Sequence, residues 1–171
     1  NGWMDPRWLK TVAFGDPTQE MRERPPFWKF WMALPKRGQI GLLDSAWYER
    51  PLRDKLTGRA DDRHFDDMLD TIAAFERTLA DDGALVLKFW MHLGRADQEK
   101  RLRELSADPL TAWRVSDEDW QELEQHEAVV SAAEHMIMRT SVSRAPWMIV
   151  EGADARYRSL RVGTLILDAI E

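Results

Sequence analysis

The 171-residue sequence contains no cysteine, which excludes a disulfide framework, thiol catalysis and any cysteine-bound metal. Its apolar runs are short, and none nears the roughly 20 residues that a membrane-spanning helix requires. The opening residues, Asn1 to Lys10, lack both the basic start and the apolar block of a secretory signal. Positive charge is in deficit too: 24 Lys and Arg stand against 30 Asp and Glu, for a formal net charge of −6. Nucleic-acid binding draws most of its affinity from a basic face, so no DNA or RNA partner is expected. A polyanion held in a local basic groove stays compatible with this balance. There is no internal repeat, no low-complexity tract and no linker that would divide the chain. The expectation is a single cytoplasmic domain over residues 1–171, with no membrane partner.

What is present describes a globular protein with a sizeable core: 44% of residues are hydrophobic and 32% charged. Nine tryptophans are many for this length, and their large apolar area reads first as core filler. The stretch Phe27 to Leu34 also offers a contact surface. His64, His92, His126 and His135 share no metal-ligand spacing and read as structural or surface residues.

Four short, nearly continuous apolar runs read as strands: Thr11 to Gly15, Ile40 to Asp44, Ala84 to Trp90 and Trp147 to Gly152. That pattern belongs to strands covered on both faces in a parallel sheet. Long helical stretches separate them, giving βαβ alternation. Asp16-Pro17-Thr18-Gln19 offers a helix start, and Pro25-Pro26 separates that helix from the next. Leu52 and Leu56 suggest a short helix ending near Gly58. From Asp62 to Asp82, Phe65, Met68, Leu69, Ile72, Phe75 and Leu79 fall at helical spacing, with Gly83 as the stop. A charged helix spans Arg95 to Leu105. Ser116 caps one long helix carrying Trp120, Leu123, Val130 and Ile137, and a last helix from Arg156 to Ile170 is expected to bury Leu160, Leu165 and Leu167.

Asp44 closes the second apolar run. Ligands of open α/β sheets bind at strand carboxyl ends, and an acid there can organise a metal-bound water near phosphates. The plainer alternative is a cap for the following helix. The continuation adds weight. "D-x-x-W-Y-x-R" from Asp44 to Arg50, an acid at Asp54, "KFW" at Lys88 to Trp90 and "APW" at Ala145 to Trp147 together resemble the polyphosphate kinase 2 family. "NGWMDPR" (Asn1 to Arg7), "DPLTAWRVSDEDW" (Asp108 to Trp120) and "DARYRSL" (Asp154 to Leu160) agree in order, so the resemblance runs nearly end to end. It is most like the first domain of a two-domain polyphosphate:AMP phosphotransferase.

The resemblance implies a P-loop kinase-like, three-layer α/β/α fold around a parallel sheet. It implies Mg²⁺-dependent phosphoryl transfer between inorganic polyphosphate and AMP or ADP, in a homo-oligomer or beside a fused second copy. By position, Asp44 would be the catalytic, metal-organising acid, and Asp54 matches a second acidic position. Arg50, Lys88 and Arg101 match basic positions that line the phosphate path, where paired N–H donors grip phosphate oxygens. Plainer alternatives stand beside these. Glu49, Arg50, Arg53 and Asp54 could form a solvated helix face, Lys88 could snorkel from its strand, and the charges around Arg101 could be surface pairs.

Two departures from the family pattern carry expectations of their own. No G-x-x-x-x-G-K-[ST] occurs in the sequence, so the amide cradle for phosphates and a central strand are expected to be missing from a chain truncated at its N-terminus. Ser45 and Ala46 stand where the family usually has Arg-Ser, Thr111 and Ala112 replace basic residues, and Ala155 and Ser159 replace Lys and Arg. The fragment alone is therefore expected to be inactive. The alternative is a degenerate structural or dimerisation copy that supports a second, active domain.

Overall fold

The computed structural model describes residues 5–15 and 18–171. β1 (Leu9–Ala13) pairs in parallel with β2 (Ile40–Asp44), in register from Leu9 opposite Ile40 to Ala13 opposite Asp44. β3 (Lys88–His92) pairs in parallel with β4 (Trp147–Glu151), from Lys88 opposite Trp147 to His92 opposite Glu151. Helices fill every connection, as parallel strands require. α1 (Gln19–Glu23) and α2 (Trp28–Ala33) join β1 to β2, and α3 (Glu49–Leu56) and α4 (Asp62–Asp81) join β2 to β3. α5 (Arg95–Ala107), α6 (Asp117–Glu124) and α7 (His126–Thr140) join β3 to β4, and α8 (Ala155–Ile170) follows.

The architecture is α/β with parallel strands, but among the described residues the strands form two pairs, not one sheet. The reason lies in what makes a strand. Ala84 to Leu87 are apolar, as expected of the third run, yet they have no ladder partner and β3 begins only at Lys88. Apolarity reports burial; pairing needs a neighbour. β1 likewise starts two positions before the expected Thr11. The Asp16-Pro17 part of the expected helix start lies outside the described residues. α1 is capped by Thr18, whose side chain accepts from the Met21 N–H at 3.3 Å.

The core gathers around α4. Asp61 caps it, accepting from the His64 N–H at 2.8 Å, and Phe65, Leu69, Ile72, Phe75 and Leu79 form its buried stripe. Phe30, Trp47, Tyr48 and Met136 close the cluster, with Phe75 meeting Phe27, Trp31 and Trp47 at ring separations of 4.8–4.9 Å. Each ring buried here, such as Phe30, Phe65 and Phe75, removes an apolar area worth about 1.5–3 kcal/mol. Not every tryptophan serves this way: Trp8, Trp31 and Trp113 are exposed.

Two further expectations are corrected. The single long helix after Ser116 is broken at Gln125, which ends α6 and precedes α7 with φ −94° and ψ 15°. Ser116 does cap α6, in a reciprocal box with Asp119. The expected burial of α8 is met in part at Leu165, which is half-buried, and fails at the other two leucines. Leu160 and Leu167 are 63% and 56% exposed, because α8 packs chiefly on β4 and no described element covers its other apolar face. No helix among the described residues is long and apolar enough to cross a membrane.

Candidate functional site

Asp44 is the last residue of β2, exposed, with its carboxylate 3.4 Å from the Ser45 hydroxyl. The chain then turns sharply: Ser45 and Ala46 have φ of 51° and 41°, and the Ala46 N–H donates to the Asp44 carbonyl at 2.5 Å. Trp47 and Tyr48 follow at once into the core, so the acid is displayed at the strand mouth by a backbone pulled inward behind it.

Arg50 and Asp54 come together one turn apart on α3, Nε to Oδ2 at 3.3 Å, with Arg59 at 3.9 Å from the same carboxylate. Glu49 and Arg53 pair beside them at 3.3 Å. The two pairs within α3 are i,i+4 contacts worth about 0.3–0.5 kcal/mol each. In this state they pair with one another, as a solvated helix face does. Asp44 shares no hydrogen bond or ion pair with Asp54 or Arg50 among the described residues.

Lys88 neither lines an open phosphate path nor snorkels. It is 6% exposed, and its ammonium donates to Glu76 Oε2 at 2.6 Å, to the Thr140 carbonyl at 2.7 Å and to the Tyr48 hydroxyl at 3.2 Å. All three N–H donors are thereby engaged. Burial pushes its pKa down, and the Glu76 carboxylate opposes that shift; an ammonium is tolerated in a dry core only with such a partner. Tyr48 is held above the ordinary phenol range, first by burial and then by the Glu76 charge.

Arg101 is placed differently. It lies on α5 beside a cleft of about 150 Å³, whose lining pairs Lys100 and Arg101 with the acids Asp97 and Glu104 and is closed by Leu93, Gly152 and Ala153. Leu93 directly follows β3 and Gly152 directly follows β4, so this cleft opens at the carboxyl ends of both strands. Its floor is tight. The Gly152 N–H donates to the His92 carbonyl at 2.7 Å, and a Cβ on Gly152 would stand 2.7 Å from that oxygen. Arg158 reaches back from α8 to the Gly152 carbonyl at 2.6 Å.

Among the described residues, no group of three or more His, Asp or Glu gathers as a metal site. The sequence reading missed Lys100 and Glu76. A signal for Glu76 existed: it falls on the inner stripe of α4, at Phe65, Leu69, Ile72, Glu76 and Leu79, where an apolar residue is the rule.

Parallel strands joined by helices, an acid at one strand mouth and a charged cleft at two others describe an α/β protein, and ligands of such sheets bind at strand carboxyl ends. Known proteins narrow the class. The sequence profile of Polyphosphate kinase 2 (PPK2) matches residues 1–171, and the chain belongs to the polyphosphate kinase 2 family. It is 40% identical over 171 residues to a polyphosphate:AMP phosphotransferase of Pseudomonas aeruginosa, covering all of this chain and 34% of that protein. It is 30% identical to NDP-polyphosphate phosphotransferase 3 of Ruegeria pomeroyi, covering 98% of this chain and 56% of the other. The crystal structure of polyphosphate kinase 2 from Arthrobacter aurescens superposes with a TM-score of 0.93 at 29% identity, over 98% of this chain and 59% of that one. The chain thus spans about a third to a little over half the length of these relatives.

Proposed function

We propose that the complete protein carrying this chain transfers a phosphoryl group between inorganic polyphosphate and AMP or ADP. An acceptor phosphate oxygen attacks the terminal phosphorus of the polymer, the bridging P–O bond breaks, and the polymer leaves one unit shorter. The reverse transfer uses the same geometry. Such chemistry asks a protein for alignment and charge neutralisation more than for a nucleophile. The observation that carries the reading is the exposed Asp44 carboxylate at the mouth of β2. Mg²⁺ is commonly held by one or two carboxylates with the remaining positions taken by water and substrate phosphates. Asp44 fits that donor set; the ion, when bound, would neutralise phosphate charge. Lys100 and Arg101 at the second mouth would grip the polymer's oxygens.

The sheet supports one further part of the reading. Among the described residues the two parallel pairs share no ladder, and Leu42 of β2 is exposed, as it would be where a further strand of the complete protein covered it. We place the phosphate-cradling loop of the complete protein after that strand, with this chain inactive without it.

A second reading is favoured by the charges. Ser45 and Ala46 put no cation beside Asp44, and Lys88 is spent in the core. Each charge-assisted phosphate contact is worth about 1.5–3 kcal/mol, so a copy short of several would instead support an active second copy. One experiment separates the two: polyphosphate-dependent ADP formation from AMP by the complete protein, with Asp44→Asn and the matching acid of any second copy changed in turn. A loss of at least 100-fold from Asp44→Asn establishes catalysis here; undiminished turnover assigns it to the other copy.

A further inference from the structure

The backbone leaving β2 is held in a shape it would not choose. Ser45 and Ala46, neither of them glycine, both take positive φ, 51° and 41°. Residues with a Cβ persist there only where their surroundings over-determine the turn. Immediately downstream, the Trp47 indole N–H donates to Glu76 Oε1 at 2.9 Å and the Tyr48 hydroxyl donates to the same oxygen at 2.7 Å. Oε2 accepts from Lys88 at 2.6 Å. Glu76 is 0% exposed and sits on α4; Lys88 opens β3, and its third partner Thr140 ends α7.

We propose that Glu76 is a positioning residue for Asp44, through its two bonds to Trp47 and Tyr48. An apolar residue at 76 could fill the same space, but it could not fix the rotation of the indole or the phenol. The Glu76 carboxylate offers Oε1 to both donors at once while Oε2 meets the Lys88 ammonium. With Trp47 and Tyr48 pinned, the two residues between them and β2 must turn left-handed, and the Asp44 carboxylate is aimed outward. Glu76 touches no substrate. This inference rests on Asp44 being the acid of the reaction, and its test is built so that the two can fail separately.

The test uses the complete protein and reads two quantities: amide hydrogen exchange by mass spectrometry, and the kcat and KM of polyphosphate-dependent ADP formation. Glu76→Leu combined with Lys88→Met removes the anchor without stranding a buried charge. Exchange over residues 45–48 is expected to rise at least ten-fold while the middle of α4 keeps its wild-type protection. In the same variant kcat falls at least ten-fold and both KM values stay within about two-fold. Glu76→Gln combined with Lys88→Met, which keeps an accepting oxygen and strands no charge, restores most of the protection. Wild-type protection at 45–48 in the folded Glu76→Leu, Lys88→Met variant overturns the proposal, and so does protection lost evenly along the chain. Should that variant not fold, Trp47→Phe and Tyr48→Phe each delete one donor and leave the ion pair intact. A local rise of about three-fold in either supports the anchor; none in both overturns it. An inactive wild-type protein removes the catalytic role of Asp44, and the exchange arms still decide whether Glu76 holds the turn.

Discussion

Gly152 shows how a single atom shapes the cleft beside Arg101. Its backbone closes on the His92 carbonyl so tightly that a methyl group would stand 2.7 Å from that oxygen, well inside contact distance. Gly152→Ala should therefore push apart the ends of β3 and β4, at about 1–3 kcal/mol for overpacking. A urea unfolding midpoint reads this loss, and an unchanged midpoint would show that the strand ends yield freely. Lys88 teaches the complementary lesson about legibility. From sequence it is a cation at the edge of an apolar run, and nothing local shows that it turns inward. Its partner Glu76 is a helix residue, and only the packing of α4 on β3 brings the two within 2.6 Å. The position of Asp44 at the end of β2 was readable because the apolar run and the ladder stop at the same residue. Arg50 and Asp54 were readable as neighbours from their i,i+4 spacing.

Helices carried their own boundaries more plainly than strands did. α4 runs Asp62–Asp81, one residue short of the stretch read from its apolar stripe, because a capping acid and a glycine stop mark both ends. α6 and α7 were merged in that reading because the apolar stripe continues across the break at Gln125, which has neither Gly nor Pro to announce it. The pairing of α7 with α4 supplies a test at this scale. Arg139 grips Asp70 with two N–H groups, both at 2.8 Å, and reaches Asp66 at 3.2 Å. The Arg139 hydrogen bonds hold the Asp70 carboxyl below its usual 3.8. A carboxyl with a lower pKa in the folded state binds its proton more readily when unfolded. Its contribution is therefore complete above pH 3.8 and is lost as pH falls through the lowered value. Asp70→Asn should reduce Tm at pH 7 by at most a few degrees, since the pair is solvent-exposed. That gap should close as the solution is acidified below the folded-state pKa. A gap independent of pH would mean that the ion pair is not its source.

At the scale of the whole molecule, the two strand pairs decide behaviour. Leu42 is 52% exposed and Ile149 64%, and α8 leaves Leu160 and Leu167 uncovered as well. Apolar surface left open in this way binds hydrophobic dyes and weakens cooperativity. The 171-residue chain alone should brighten an anilinonaphthalene dye strongly and melt over a broad range, while the complete protein should do neither. Equal dye responses from both would show that nothing outside this chain covers these faces. The overall class was legible because βαβ alternation survives in the pattern of runs. The split into two pairs accords with the expectation drawn from the absent G-x-x-x-x-G-K-[ST] motif, whereas the residues of the four strands carry no sign of it.

The knot of Trp47, Tyr48, Glu76, Lys88 and Thr140 has a bearing on ancestry. Its members lean on one another, and replacing Glu76 or Lys88 alone strands a buried charge at a cost of several kcal/mol. Selection for folding by itself keeps such a set together. A duplicated domain released from chemistry would retain its interior knot for as long as it must fold, while cations at its rim would be free to drift. Under the supporting-copy reading, Ser45, Ala46, Thr111, Ala112, Ala155 and Ser159 would be such rim positions.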